Sequence, residues 1–210
     1  VYKRQGFFPV LNSIKQGRKI ALANKESLVA CGDLLIEISK TTSSEIIPLD
    51  SEHSAIWQCI KNEEDKYVKS IVITASGGSL RDMPIKELSS VTPEIVLNHP
   101  TWNMGDKITV DSATLINKVF EVKEAANLFD IPLEDIEVIF HDESIIHGMA
   151  NMVDGNSLAL LSEPNMRIPI LYALFYPKRV MSKNIKKIDL TKLGKLLSLI
   201  HISEPTRREG

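Results

Sequence analysis
Apolar and polar positions along the chain alternate with a period that changes from segment to segment. "PVLNSIKQ" has helical spacing, and "KIALA" predicts a short buried strand between the polar runs "KQGR" and "NKES". Asn24 then offers an N-cap for a helix from Lys25 to about Lys40, with Leu28, Leu35 and Ile36 on its apolar face. "SEIIPLD" predicts the next strand. Strand, helix, strand in this order predicts a parallel sheet, and such sheets bind ligands beyond their carboxyl ends, where "NKE" and "DSE" fall. "SIVITASGGSLRD" is a β-branched strand followed by a small-residue turn. The next stretch, broken by Pro84, Pro93 and Pro100, predicts loop with short helices. "DSATLINKVFEVKEAANLF" predicts one long helix capped by Asp111 or Ser112. "IEVIFHDESIIHGMANMVDGNSLALLS" predicts strand, polar loop, strand, with Asp154–Gly155 in a hairpin-like turn. "EPNMRIPILYALFYP" opens as loop and ends as helix, and the tail from "IKKIDL" onward is less regular. The whole predicts an α+β fold with a parallel-containing sheet.

Composition narrows the function classes. The 210 residues suit one or two domains with a sizeable core, and the 43% hydrophobic and 25% charged content is that of a globular protein. A net charge of −2 argues against nucleic acid as a partner, and leaves any anionic ligand to be held by local groups. The two cysteines, Cys31 and Cys59, form no metal or disulfide pattern, which points to a reducing, cytoplasmic setting and to a packing role for both. No apolar run approaches the ~18 residues of a membrane span, and "VYKRQGFFPV" is too short in its apolar part for a signal peptide.

Candidate chemistry gathers in a few places, each with a bland alternative. In "IIPLDSEHSAIWQ", Asp50 and Glu52 share a face if the segment is extended, an arrangement suited to a hard cation. Taken alone, the stretch reads better as a helix cap whose carboxylates favour the N-terminal dipole. In the long helix, Asn117 and Glu121 share a face, Lys118 neighbours Glu121, and Ser112 falls at the N-terminus, where backbone N–H groups attract anions. The alternative is a solvated face with a Lys–Glu pair. Ser76–Gly77–Gly78–Ser79 is either a phosphate-binding turn or a simple tight turn. "HPTWNMG" holds His99, Trp102 and Met104 in a loop that is either a lid or an anchor on the core. His53, His141 and His147 read as structural or hydrogen-bonding residues.

In this order, "IALANKESLV", "PLDSEHSAIWQ", "TASGGSLR", "HPTWNMGDKITVDSATLINKVFEVKEA", "SIIHGM", "DGNSLAL" and "EPNMRIPI" resemble the 1-deoxy-D-xylulose 5-phosphate reductoisomerase family, from Gly6 to about Leu197. The resemblance implies an NADPH-dependent and divalent-metal-dependent (Mg²⁺ or Mn²⁺, with Co²⁺ a third candidate) oxidoreductase and isomerase. Its reaction converts 1-deoxy-D-xylulose 5-phosphate to 2-C-methyl-D-erythritol 4-phosphate, for isoprenoid synthesis. It implies Asp50, Glu52 and Glu121 as metal ligands, with Lys25 and Glu52 catalytic. Lys25, Ser51, Glu52, Ser76, His99, Ser112, Asn117, Lys118 and Glu121 become substrate contacts, those at 76, 112, 117 and 118 forming a phosphate cradle. Trp102 and Met104 become residues of a flap spanning about 76–106. Asn24, Glu26 and Gly105 become cofactor contacts. It also implies a homodimeric full-length enzyme in a bacterial cytoplasm, a plastid enzyme without its transit peptide reading the same.

The resemblance also implies an organisation. Residues 1–48 become the C-terminal edge of a Rossmann-like NADPH-binding domain, 49–182 an α/β catalytic domain, and 183–210 a linker toward a further helical domain. The family's glycine-rich dinucleotide turn is not in this sequence, and neither "VYKRQ" nor "SLIHISEPTRREG" fits the family, so 1–5 and 198–210 are expected to be foreign and the isolated chain to be inactive. Asp142–Glu143 stands where the family commonly has Pro-Gln. Two other function classes remain: a metal-dependent phosphosugar lyase or aldolase needing no nicotinamide, and a non-catalytic phosphosugar-binding module. The "NKE" segment argues against the first, and the presence of all three carboxylates against the second.

Overall fold
A computed structural model of the chain describes residues 3–189. The first part follows the hydrophobic pattern: Phe7–Lys15 (α1), Lys19–Leu22 (β1), Lys25–Lys40 (α2) and Glu45–Pro48 (β2). β1 and β2 pair in parallel, with Lys19 opposite Glu45 and Leu22 opposite Pro48, and α2 is the crossover. Val10, Ile14, Leu22, Leu28, Leu35 and Ile46 form the core between the helices and this two-stranded sheet. Two expectations need correction. Only Leu22 of β1 is buried, because its sheet has two strands and both are edges. Asn24 precedes α2, but its side chain does not cap the helix; Oδ1 accepts from Ser27 Oγ and Nδ2 donates to Glu26 Oε2 at 2.8 Å.

The second part is built on a four-stranded sheet. Ser51–Ile60 (α3) leads through a short turn into Val68–Ala75 (β3); Ile136–Phe140 (β4), Ile146–Met152 (β5) and Ser157–Leu161 (β6) complete the order β4-β3-β5-β6. β3 runs parallel to β4 (Ile71 opposite Ile136) and antiparallel to β5 (Ile73 opposite Gly148). The β5–β6 hairpin turns at Asp154–Gly155, where Gly155 has φ +90, a conformation glycine adopts without strain. Ile71, Ile73, Ala150, Met152 and Ile136 of the sheet meet Ile56 of α3, and with Ala125 make the second core. The expected α+β fold with a parallel-containing sheet is therefore what forms.

Between β3 and β4 run Pro93–Leu97 (α4), Asp106–Ala113 (α5) and Ile116–Phe129 (α6), and Arg167–Phe175 (α7) follows the sheet. The single long helix expected from Asp111 to Phe129 is two helices. Leu115 has φ 60 and ψ 5, in the left-handed region, and breaks the run. Ser112 therefore lies in the last turn of α5 rather than at a helix N-terminus, and Asn117 moves from mid-helix to the first turn of α6. The apolar period continues across the break, and leucine is not a residue that announces a left-handed turn. No helix among the described residues is long and apolar enough to cross a membrane. Of the expected foreign ends, 198–210 lies outside the described residues and only 3–5 of the first is described.

Candidate metal and anion site
The carboxyl end of β2 delivers Asp50 to the N-cap of α3, and Glu52 follows within its first turn. Asp50 Oδ1 accepts from the Ser51 amide at 3.1 Å, so the residue caps the helix. Its other oxygen remains available to the cluster, and cap and ligand are compatible at one position. Glu121, on α6, brings a third carboxylate. Asp50, Glu52 and Glu121 each offer an oxygen, and the three lie within 4.8 Å of one another. The convergence comes from one helix turn facing another, not from alternate positions of an extended strand.

Two lysines hold these carboxylates. Lys25 Nζ contacts Asp50 Oδ2, Glu121 Oε1 at 3.0 Å and Asn117 Oδ1 at 3.1 Å. Lys118 Nζ donates to Glu52 Oε1 at 3.0 Å, to Thr74 O at 2.6 Å and to Glu121 Oε2. Burial alone would lower both ammonium pKa values, but Asp50 and Glu121 around Lys25, and Glu121 and Glu52 around Lys118, hold both above their ordinary value. Burial pushes Glu121 up, and the charge of Glu52 adds to it. Burial opposes the ionisation of Glu52, yet Lys118 and the Ser51 hydroxyl (2.6 Å to Glu52 Oε2) hold Glu52 well below the carboxylate range. Glu124, one turn after Glu121, is buried as well and its pKa is likewise pushed up by burial. The upward push on Glu121 and Glu124 marks negative charge that the two lysines do not fully offset and that a divalent cation would relieve. The three-carboxylate set, all oxygen and open toward the cleft, fits a hard cation. A second grouping, Asp50, His53 and Glu124, also converges. There His53 Nε2, the nitrogen nearest Glu124, donates to Glu121 O at 2.8 Å and offers no lone pair to a metal, while Nδ1 keeps one and has no hydrogen-bond partner.

A cleft of about 320 Å³ opens on this cluster and continues to an uncharged polar end. There His99 stands between Ser76 and Ser112, Nε2 lying 3.1 Å from Ser76 Oγ and 3.5 Å from Ser112 Oγ. The Thr101 and Trp102 amides donate to His99 Nδ1 at 3.1 and 3.0 Å, so the neutral ring carries its proton on Nε2. Ser76 Oγ accepts from that N–H and, at 3.4 Å, from the Gly78 amide. Its own hydroxyl proton is left free for an acceptor in the cleft. Arg81 Nη1 donates to Ser76 O at 2.9 Å and steadies the turn. Burial first, then the Arg81 charge, lowers the His99 pKa.

Of the residues singled out in the sequence, Asp50, Ser51, Glu52, Ser76, His99, Trp102, Met104, Ser112, Asn117, Lys118 and Glu121 line this one cleft, and Lys25 reaches it through its ion pairs. The four residues read as a phosphate cradle divide: Ser76 and Ser112 gather at His99, whereas Asn117 and Lys118 bond the carboxylates. Asn24, Glu26 and Gly105 are not among the lining residues. Sequence reasoning missed Ser144, His147 and Met166 in the lining; His147 stacks obliquely on Trp102 with centroids 6.3 Å apart. The "SIIHGM" strand carried that signal only as one histidine among apolar neighbours. Glu124 was missed as well, although its place one turn after Glu121 on the same helix face was a usable signal.

Comparison with known proteins agrees with this geometry. Models of the 1-deoxy-D-xylulose 5-phosphate reductoisomerase match residues 1–32, of its C-terminal domain residues 46–129, and of the DXP reductoisomerase C-terminal domain residues 161–206. The enzyme of that name from Bacillus pumilus is 50% identical over 191 residues, which is 91% of this chain and 50% of the relative; the Bacillus subtilis enzyme gives the same values. A crystal structure of DOX-P reductoisomerase in complex with NADPH, fosmidomycin and magnesium superposes with a TM-score of 0.88 at 40% identity, over 95% of this chain and 51% of that one. The Zymomonas mobilis enzyme in complex with NADPH gives 0.82 at 44% identity, over 90% and 48%. The chain spans about half the length of the curated relatives it matches. With family models matching along its length, 50% identity to curated members over 191 residues and their fold in common, the chain belongs to the 1-deoxy-D-xylulose 5-phosphate reductoisomerase family.

Proposed function
We propose that this chain forms the metal- and substrate-binding part of an enzyme that rearranges 1-deoxy-D-xylulose 5-phosphate and reduces the product with NADPH to 2-C-methyl-D-erythritol 4-phosphate. The observation that carries the reading is the convergence of the Asp50, Glu52 and Glu121 carboxylates at one end of a cleft whose other end offers free hydroxyl donors. Asp50, Glu52 and Glu121 would hold a divalent cation, which when bound would polarise the substrate, and a bound nicotinamide would supply hydride. The chain's own residues do the rest. Ser76 and Ser112, with their hydroxyl protons unspent on His99, bind the phosphate. Lys25 and Asn117 keep positive charge and an amide donor beside the reacting oxygens. Trp102 and Met104, in the lining, close over the substrate and exclude water. Asn24, Glu26 and Gly105 face the nicotinamide side; Gly105 leaves open space where a side chain would stand. The full-length enzyme is a cytoplasmic homodimer in this reading.

Ligand binding tests it without requiring turnover. Fosmidomycin is present with magnesium in two of the matching crystal structures. Titrating the chain with fosmidomycin should give binding that needs Mg²⁺ or Mn²⁺ and is lost in Glu52→Gln. Binding of equal strength with the cation chelated would contradict the proposal.

A further inference from the structure
We infer that His53 is a positioning residue for the cation site: its Nε2–H, donated to the main-chain carbonyl of Glu121, fixes the spacing between the two turns that carry the ligands. This rests on the proposed role of the three carboxylates as cation ligands. Those ligands come from elements far apart in the chain, Asp50 and Glu52 at the start of α3 and Glu121 on α6. His53 follows Glu52 directly on the same helix turn, so whatever fixes the imidazole fixes the Glu52 backbone. The ring is fully buried. Nε2 lies 2.8 Å from Glu121 O, and since a carbonyl only accepts, the proton sits on that nitrogen. Glu124 Oε2 lies 3.5 Å from the same nitrogen, and the Phe129 ring stacks on the imidazole at 6.3 Å with 18° between planes. The Glu121 carbonyl and the Phe129 ring of α6 therefore hold one side chain of α3.

A neighbouring face of α3 is closed too. A Cβ at Gly148 of β5 would stand 2.8 Å from Ile56 Cγ1 and 3.0 Å from Glu52 O, so the strand backs directly onto the ligand-bearing turn. α3 packs against both β5 and α6, and His53 supplies the hydrogen bond to α6. Lys118 also joins Glu52 to Glu121, but through the carboxylate oxygens, whose partners change when a cation takes them. The bond from His53 goes to the main chain and uses none of the oxygens the cation needs. Groups that orient metal ligands in this way typically cost about 10- to 100-fold in metal affinity when removed.

The experiment is calorimetric titration of the whole chain with Mn²⁺, comparing the parent with H53Q and H53N, alongside their metal-free melting temperatures. Glutamine carries an amide N–H to about the place of Nε2, and asparagine is one methylene short. The expected result is near-parental Mn²⁺ affinity for H53Q and a loss of about 10-fold or more for H53N, with the two variants melting alike. A purely structural histidine would shift both melting temperatures and leave the two Mn²⁺ affinities equal. Parental affinity in H53N, or H53Q binding as weakly as H53N, overturns the inference while the cation site stands. A parent chain that binds no Mn²⁺ overturns the cation site and this inference together.

Discussion

At the residue scale the site is a balance of buried charge, and the balance makes predictions. Lys118 is nearly enclosed and bonded to Glu52, Glu121 and the Thr74 carbonyl. Removing one partner of a buried charge network leaves the rest uncompensated, at a cost of about 3–5 kcal/mol. Lys118→Met should lower metal-free stability on that order in chemical unfolding, and Mn²⁺ should restore more stability to the variant than to the parent. His99 predicts a pH dependence. Its next proton must enter at Nδ1, which already accepts two amide N–H bonds, and burial and Arg81 oppose the charge as well. The folded pKa therefore lies below 6.5, and the stability linked to neutral His99 is present above the unfolded pKa and lost as pH falls through the folded one. Imidazole NMR titration should place the midpoint below 6.5, and inorganic phosphate should raise it, because an anion between Ser76 and Ser112 favours the imidazolium. A phosphate-independent midpoint would remove His99 from the anion end.

At the element scale the sequence was legible where the hydrophobic spacing matched a single element and the turns carried glycine. The α2 boundaries, the strands β2 to β5 and the β5–β6 turn follow from hydrophobic spacing and from Asp154–Gly155. The break at Leu115 was not legible, because the left-handed position holds a leucine rather than glycine or asparagine. The cause is tertiary: the turn after β3 presses on the end of α5. A Cβ on Gly78, which has φ +72, would stand 2.6 Å from Ser112 O and 2.8 Å from Ala113 Cα. The turn and the helix end must meet at a glycine, and that meeting brings Ser76 and Ser112 to the same nitrogen of His99. Gly78→Ala should therefore cost on the order of 1–3 kcal/mol through strain and displaced backbone. It should also weaken phosphate binding while leaving Mn²⁺ affinity close to parental, since the carboxylates sit on other turns. Equal loss of both ligands would mean that the two ends of the cleft are not independent.

At the scale of the whole molecule, two parallel-stranded beginnings are joined through one buried cluster. β2 ends in the Asp50 cap, α2 begins with Lys25, and both meet Glu121 on α6, which lies 96 residues beyond Lys25. Charges close that long-range contact, and for this reason pattern alone left the metal and helix-cap readings open. A carboxylate pair after a strand is a common cap, and only a third carboxylate from elsewhere in the chain alters its meaning. The family resemblance supplied that third residue before the fold did. It could not supply the lysine bonds, the unspent serine protons or the His53 contact with the Glu121 carbonyl, which depend on side-chain geometry. The central claim is that Asp50, Glu52 and Glu121 together hold a divalent cation. Isothermal titration of the chain with Mn²⁺ against Glu52→Gln tests it most directly. The account predicts one bound ion in the parent and affinity at least about 10-fold weaker in the variant; equal binding by the two proteins would contradict it.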